Sequence, residues 1–209
     1  MIKEFCGENL NNFENLIKSD VVRIELCDNM AVGGTTPSYG VIKTACDFLH
    51  KHDIEVATMI RPRGGDFVYK PLEIEAMAID ILHAYSAGSD YLVLGMLTAD
   101  NRIDKENLEK VLAAAPKAKY VHHMAFDFIN KEDQFEAIDY LIEKGFVRIL
   151  LHGNAERRSI FENVEHIKKL ITYADNRIEI MLGGGVNKDN YQELAKLTGA
   201  KIFHGTSII

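Results

Sequence analysis

The chain of 209 residues is 47% apolar and 26% charged, and its 31 acidic against 24 basic side chains leave a net charge of −7 and a pI near 5.6. That length fits one domain, residues 1–209, with ample material for a core and no room for a second domain of comparable size. The acidic balance, without a Lys/Arg run, excludes the electrostatic footprint of a nucleic-acid binder or a basic membrane patch, and no apolar run nears the roughly eighteen residues of a membrane span.

Along the chain, apolar β-branched runs alternate with longer stretches of helical period. MIKEFCGEN enters a first strand, 2–6, at once and carries neither the basic nor the apolar region of a secretory signal, so a water-soluble, cytoplasmic protein is expected. A helix near 9–18 follows, then the strand VVRIEL (21–26), a helix near 38–51, the strand IEVATMI (54–60), a helix near 71–87 and the strand YLVLG (91–95). A helix near 104–115 leads to KYVHHM (119–124), one near 130–144 to RILLH (148–152), one near 158–174 to EIML (179–182), and one near 187–198 to KIFH (201–204). Gly88, Gly145 and Gly199 stand just past helices, where a left-handed cap is needed, and Asp104 and Asn187 stand where N-caps belong.

Eight strands and seven helices in alternation predict a closed (β/α)8 barrel of TIM type rather than an open doubly wound sheet. Only GTSII follows the last strand, so the full final helix is missing. The apolar surface it would cover predicts a homodimer or higher homo-oligomer. In such a barrel the working site lies at the C-terminal ends of the strands.

Strand parity then sorts the polar residues. In VVRIEL, Val22, Ile24 and Leu26 share the face that meets the helices, which sends Arg23, Glu25 and Cys27 into the barrel. Buried charges need partners, and Glu4, Arg61, Arg148 and Glu179 are available. Arg23, Glu4, Arg148 and Glu179 read as a structural network, whereas Glu25 and Arg61, at strand C-terminal ends, read as functional. Arg63 and Asp66 in RPRGGDF are suited either to an anionic ligand or to a solvated turn. His122 and His123 must face opposite ways, and parity with Val121 makes His123 the inward one; His152 and His204 are candidates by position alone. Gly183, Gly184 and Gly185, with GTS after the last strand, resemble the phosphate cradle of β/α barrels or else only permit a tight turn.

Three cysteines without a CxxC spacing argue against a disulfide framework. Cys46 falls inside a predicted helix. Cys6 and Cys27 end neighbouring strands, about 4.8 Å apart, so their sulfurs can approach at the barrel mouth. Thiolates there suit Cu(I) or zinc; buried packing cysteines are the plainer alternative.

The segments RIELCDNMAVGGTTPSYG, MIRPRGGDFVY, HHMAFD and MLGGGV occur in the order typical of the CutC family, which the sequence resembles over essentially its whole length. The resemblance implies a cytoplasmic β/α barrel, a dimer or higher oligomer, and a part in copper handling through Cu(I) binding. It carries Glu25, Arg61, Arg63, Asp66, His123 and Asp127 as polar residues of the barrel mouth. Two departures stand out: Met124 where relatives usually show an arginine, and His152, Gly153 and Asn154 where they usually show a serine and two glycines. Two functions follow as expectations. One is a copper-homeostasis protein holding Cu(I) at Cys6 and Cys27, with room for a nearby Met or His ligand, without turnover. The other is an enzyme on a small anionic or phosphorylated molecule, with Arg61 and Arg63 binding the anion, Glu25 as general acid or base and His123 in proton transfer.

Overall fold

The structure, a computed structural model, describes residues 1–156 and 158–209. Eight parallel strands close into one barrel in sequence order, with β8 returning against β1. They are β1 Ile2–Glu8, β2 Arg23–Cys27, β3 Glu55–Met59, β4 Tyr91–Leu94, β5 Lys119–His122, β6 Phe146–Leu151, β7 Glu179–Leu182 and β8 Ile202–Gly205. The described residues form seven α-helices: α1 Phe13–Leu16, α2 Tyr39–Leu49, α3 Pro71–Ala87, α4 Lys105–Leu112, α5 Gln134–Glu143, α6 Val164–Ala174 and α7 Tyr191–Thr198. The expected barrel without a final helix is what forms, and none of these helices is long and apolar enough to cross a membrane.

The expected caps explain where three of the seven helices stop and where one starts. Gly88, Gly145 and Gly199 take left-handed φ values of 106°, 79° and 78°, and Asp104 accepts the Asn107 N–H at the start of α4. Helices α5 and α6 start later than expected, and two other boundaries differ more instructively. The helix near 9–18 shrinks to the single turn of α1, because Asn9 and Asn12, both just before it, adopt left-handed backbone that a helix from residue 9 would not allow. Asn187 does not cap α7; its side chain accepts the Asp189 and Asn190 N–H groups in a turn that precedes the helix.

Each strand divides its side chains between two cores. Ile24, Leu26, Val56, Leu92, Ile149 and Phe203 pack outward under the helices, whereas Ala57, Met59, Val93, Val121, Leu150 and Met181 fill the barrel. Toward the N-terminal ends the interior becomes ionic. Arg23 pairs with Glu4 and, at 3.1 Å, with Glu55, and Arg148 pairs with Glu179. The guanidinium carbons of Arg23 and Arg148 each lie 5.0 Å from the centre of the Tyr91 ring, whose hydroxyl donates to Glu55 at 3.2 Å. This is the network that parity assigned to structure.

The missing last helix leaves less bare surface than expected. The tail folds back so that Ile208 is fully buried, and the Lys188 N–H bonds the Ser207 carbonyl. Exposed apolar side chains concentrate instead on α3, at Leu72, Ile79, Leu82 and Tyr85, beside Tyr39 of α2.

Candidate functional site

At the C-terminal ends of the strands lies a cavity of about 690 Å3. Its base is set by register. Cys6 of β1 stands opposite Glu25 of β2, and Cys27, two residues further on, keeps the inward parity of Glu25. Cys6 Sγ lies 3.3 Å and Cys27 Sγ 3.6 Å from Glu25 Oε2, and one donor atom from each of the three residues falls within 4.8 Å of the others. Cys6 lines the cavity; Cys27 is almost wholly buried behind it. Gly34, with φ of 86°, lets the following loop press onto this pair: a Cβ there would meet Cys27 Sγ at 3.0 Å. The same loop brings Met30 Sδ to 3.9 Å from Cys6 Sγ.

His204 completes the group from across the barrel closure. Its Nδ1 lies 2.8 Å from Glu4 and its Nε2 3.6 Å from Glu25 Oε2, so Glu4, His204 and Glu25 form a buried chain ending at the thiols. Burial pushes the Glu4 carboxyl up, but the Arg23 guanidinium and His204 outweigh it and hold Glu4 at about 2. Burial pulls His204 down, yet the acidic groups of Glu25, Cys6 and Glu4 hold it well above the ordinary imidazole range. Burial drives Glu25 well above the carboxylate range. Of the thiols, Cys6 is lowered because it accepts a hydrogen bond from Cys27, and Cys27 is raised by keeping that proton. The Cys6 thiol lies where it can donate to Glu25 Oε2 at 3.3 Å. The cluster gathers two sulfurs, a carboxyl and an imidazole at the base of the cavity.

The other expected residues divide into three groups. Arg61, His123, Met124, Gly184 and Gly185 line the same cavity. Arg61 donates to the Val32, Gly33, Gly34 and Gly65 carbonyls, tying the loops after β2 and β3 together, and stacks over Phe67. His123 is inward as parity required and also packs on Phe67, and its Nδ1 accepts the Ala125 N–H. His122 faces outward, and burial lowers it to about 4, which keeps it neutral.

A second group supports the walls. Asp127 is buried and accepts the His152 and Gly153 N–H groups at the end of β6. His152 Nδ1 bonds the Gly184 carbonyl at 2.7 Å, while Gly183 bonds back to Leu151 beneath the cavity lining. The third group lies outside the cavity: Arg63 pairs with Asp66 at 3.0 Å and with Glu73 of α3 at 2.6 Å, in a solvated turn. The solvated-turn alternative is the arrangement seen for these two.

Sequence reasoning allowed a nearby Met without singling out Met30, and it ranked His204 by position only. The signal for Met30 was its place three residues after Cys27, on a loop with two glycines that must fold over the strand end. His204 meets Glu4 across 200 residues of sequence, so only the closure of β8 on β1 reveals the pair.

With this geometry in place, comparison with known proteins is informative. The model of the CutC family matches residues 1–209. A family protein CutC from Streptococcus pyogenes is 58% identical over the full length of both chains. The human copper homeostasis protein cutC homolog is 39% identical over 203 residues, covering 97% of this chain and 72% of that one. Among solved structures, a CutC from Streptococcus agalactiae matches with a TM-score of 0.98 and 55% identity over both whole chains. A deoxyribose phosphate aldolase from Aeropyrum pernix matches with a TM-score of 0.70 over 99% of this chain and 86% of its own, at 12% identity, and shares the fold alone.

Proposed function

This chain belongs to the CutC family, and from that premise we propose that it serves copper homeostasis in the cytoplasm by holding Cu(I) between Cys6 and Cys27, with Met30 as a third sulfur ligand. The observation that carries this reading is the convergence of both cysteine sulfurs and the Met30 thioether at one end of the barrel. Cu(I) favours such soft donors, and binding it releases protons from the thiols. Glu25 contacts both sulfurs and His204 abuts Glu25, and Arg61 fixes the loops that carry Met30 and Gly34. All three cysteines are free thiols, the state that a reducing compartment maintains.

Anaerobic titration of the purified protein against a colorimetric Cu(I) chelator tests this. We expect one Cu(I) per chain, lost when Cys6 and Cys27 are both changed to Ser. Unchanged affinity in that double variant would remove the thiol site.

The size of the cavity favours a second reading, an enzyme acting on a small organic molecule with Glu25 as acid or base and His123 in proton transfer. A metal ion fills only a small part of about 690 Å3. Cells carrying Glu25→Gln with metabolite levels and copper tolerance identical to wild type would sink it. The apolar face of α3 supports a homo-oligomer, which sedimentation at micromolar concentration checks; a monomer there ends that idea.

A further inference from the structure

The guanidinium of Arg61 raises a question that copper binding leaves unanswered. Arg61 is 5% exposed and lines the cavity, and no carboxylate of the described residues lies within ion-pair distance of it. The other charged groups near the mouth are balanced. Glu4 faces Arg23 and His204, while Glu25 is engaged by His204 and the two thiols on the β1, β2 and β8 side. Arg61 enters from the end of β3, and carbonyl dipoles, the Phe67 ring and the neighbouring Tyr69 hydroxyl surround its charge in place of a carboxylate.

A count of donors makes the point sharper. A guanidinium carries five N–H groups. Nη1 spends its two on the Val32, Gly33 and Gly34 carbonyls at 3.1, 3.2 and 3.1 Å, and Nη2 spends one on Gly65 at 2.8 Å. The Nε–H, buried and without an acceptor, remains, and so does one N–H of Nη2. Leaving such donors dry and unmade is costly, and an oxyanion is the partner that satisfies both the hydrogen bonds and the charge. The rest of the wall suits the body of a small molecule. Phe67 and Met59 offer apolar surface on the Arg61 side, and Gly184, Gly185, Thr206 and Ser207 line the β7 and β8 side.

We propose that the cavity binds a small organic anion, a carboxylate or a phosphate monoester, through the remaining N–H groups of Arg61. This deepens the second reading above by naming the ligand class, and it requires neither copper nor turnover.

The test is calorimetric titration of the full-length protein with sodium phosphate and with sodium malonate, each against sodium chloride at matched ionic strength. We expect saturable binding of at least one of the two oxyanions and none of chloride; the preferred one identifies the head group. Arg61→Lys, which keeps the charge and loses the planar fork, should weaken binding by at least about tenfold. Crystals of the wild-type protein soaked in the preferred salt should then show the oxyanion within hydrogen-bond distance of Arg61 Nε, a result that stands even where the variant folds poorly. No saturable binding beyond chloride, equal binding by a folded Arg61→Lys, or an oxyanion bound away from Arg61 would each overturn the proposal. Metabolite levels and copper tolerance unchanged in the Glu25→Gln cells would end the enzymatic reading and leave this one intact, and Cu(I) stoichiometry on the same samples reports separately on the thiol site.

Discussion

The two ends of this barrel are built from the same strands and treat buried polarity in opposite ways. At the N-terminal ends, Glu4, Arg23, Arg148 and Glu179 close on one another around Tyr91. Two residues further along β1 and β2, the inward positions hold Cys6 and Glu25, and two further again Cys27, around a cavity. The lower charges pair with each other and fill space; the upper groups, Cys6, Glu25 and Arg61 among them, border an opening. A buried charge therefore acquires its meaning from its height along the strand, since only the upper end is roofed by loops instead of side chains.

The largest expected effect breaks the lower layer. Arg23→Ala leaves Glu4 buried with His204 as its remaining ion-pair partner and should cost about 3–5 kcal/mol, read as a lowered urea midpoint. A loss below about 1 kcal/mol would mean that the two ends do not differ as described. The same layer predicts an acid transition. Because Glu4 sits at about 2 in the fold against 4.5 ordinarily, its contribution is complete above pH 4.5 and disappears as the pH falls through about 2. Glu4→Gln should flatten stability against pH across that window, and a slope equal to wild type would contradict the assignment.

Upper-end changes should act on binding more than on folding. Met30→Leu should lower Cu(I) affinity about tenfold, on the scale of altered supporting contacts at metal sites, while stability moves by less than about 1.5 kcal/mol. Chelator competition and thermal unfolding measure the two, and an affinity equal to wild type would remove Met30 from the ligand set. The smallest effect belongs to Arg63→Ala. Its partners are the exposed Asp66 of the turn and Glu73 in the first turn of α3, so a loss of at most about 1 kcal/mol is expected, with oxyanion binding unchanged by calorimetry.

Much of this was legible in the sequence, for identifiable reasons. Strand alternation has a period of two, so the inward set of β2 and the opposite facing of His122 and His123 could be read directly. Capping glycines mark helix ends by a backbone requirement that few other residues meet, and Gly88, Gly145 and Gly199 fulfil it. What escaped depends on contacts that no local period encodes. The stub at α1 follows from two left-handed asparagines, residues that tolerate such backbone without announcing it. Met30 belongs to a loop, where direction is set by tertiary packing. Arg61 was recognised as important, but its donors could be counted only once the carbonyls of two loops were placed around it.

One consequence of the depth difference between Cys6 and Cys27 concerns time more than affinity. Cys6 faces the cavity and Cys27 lies behind it, so an ion entering by the mouth meets one sulfur before the other. Transfer to or from a carrier would then proceed through a short-lived intermediate in which the carrier and Cys6 share the ion, and its rate would scale with carrier concentration. Cys27 would set how long the ion stays.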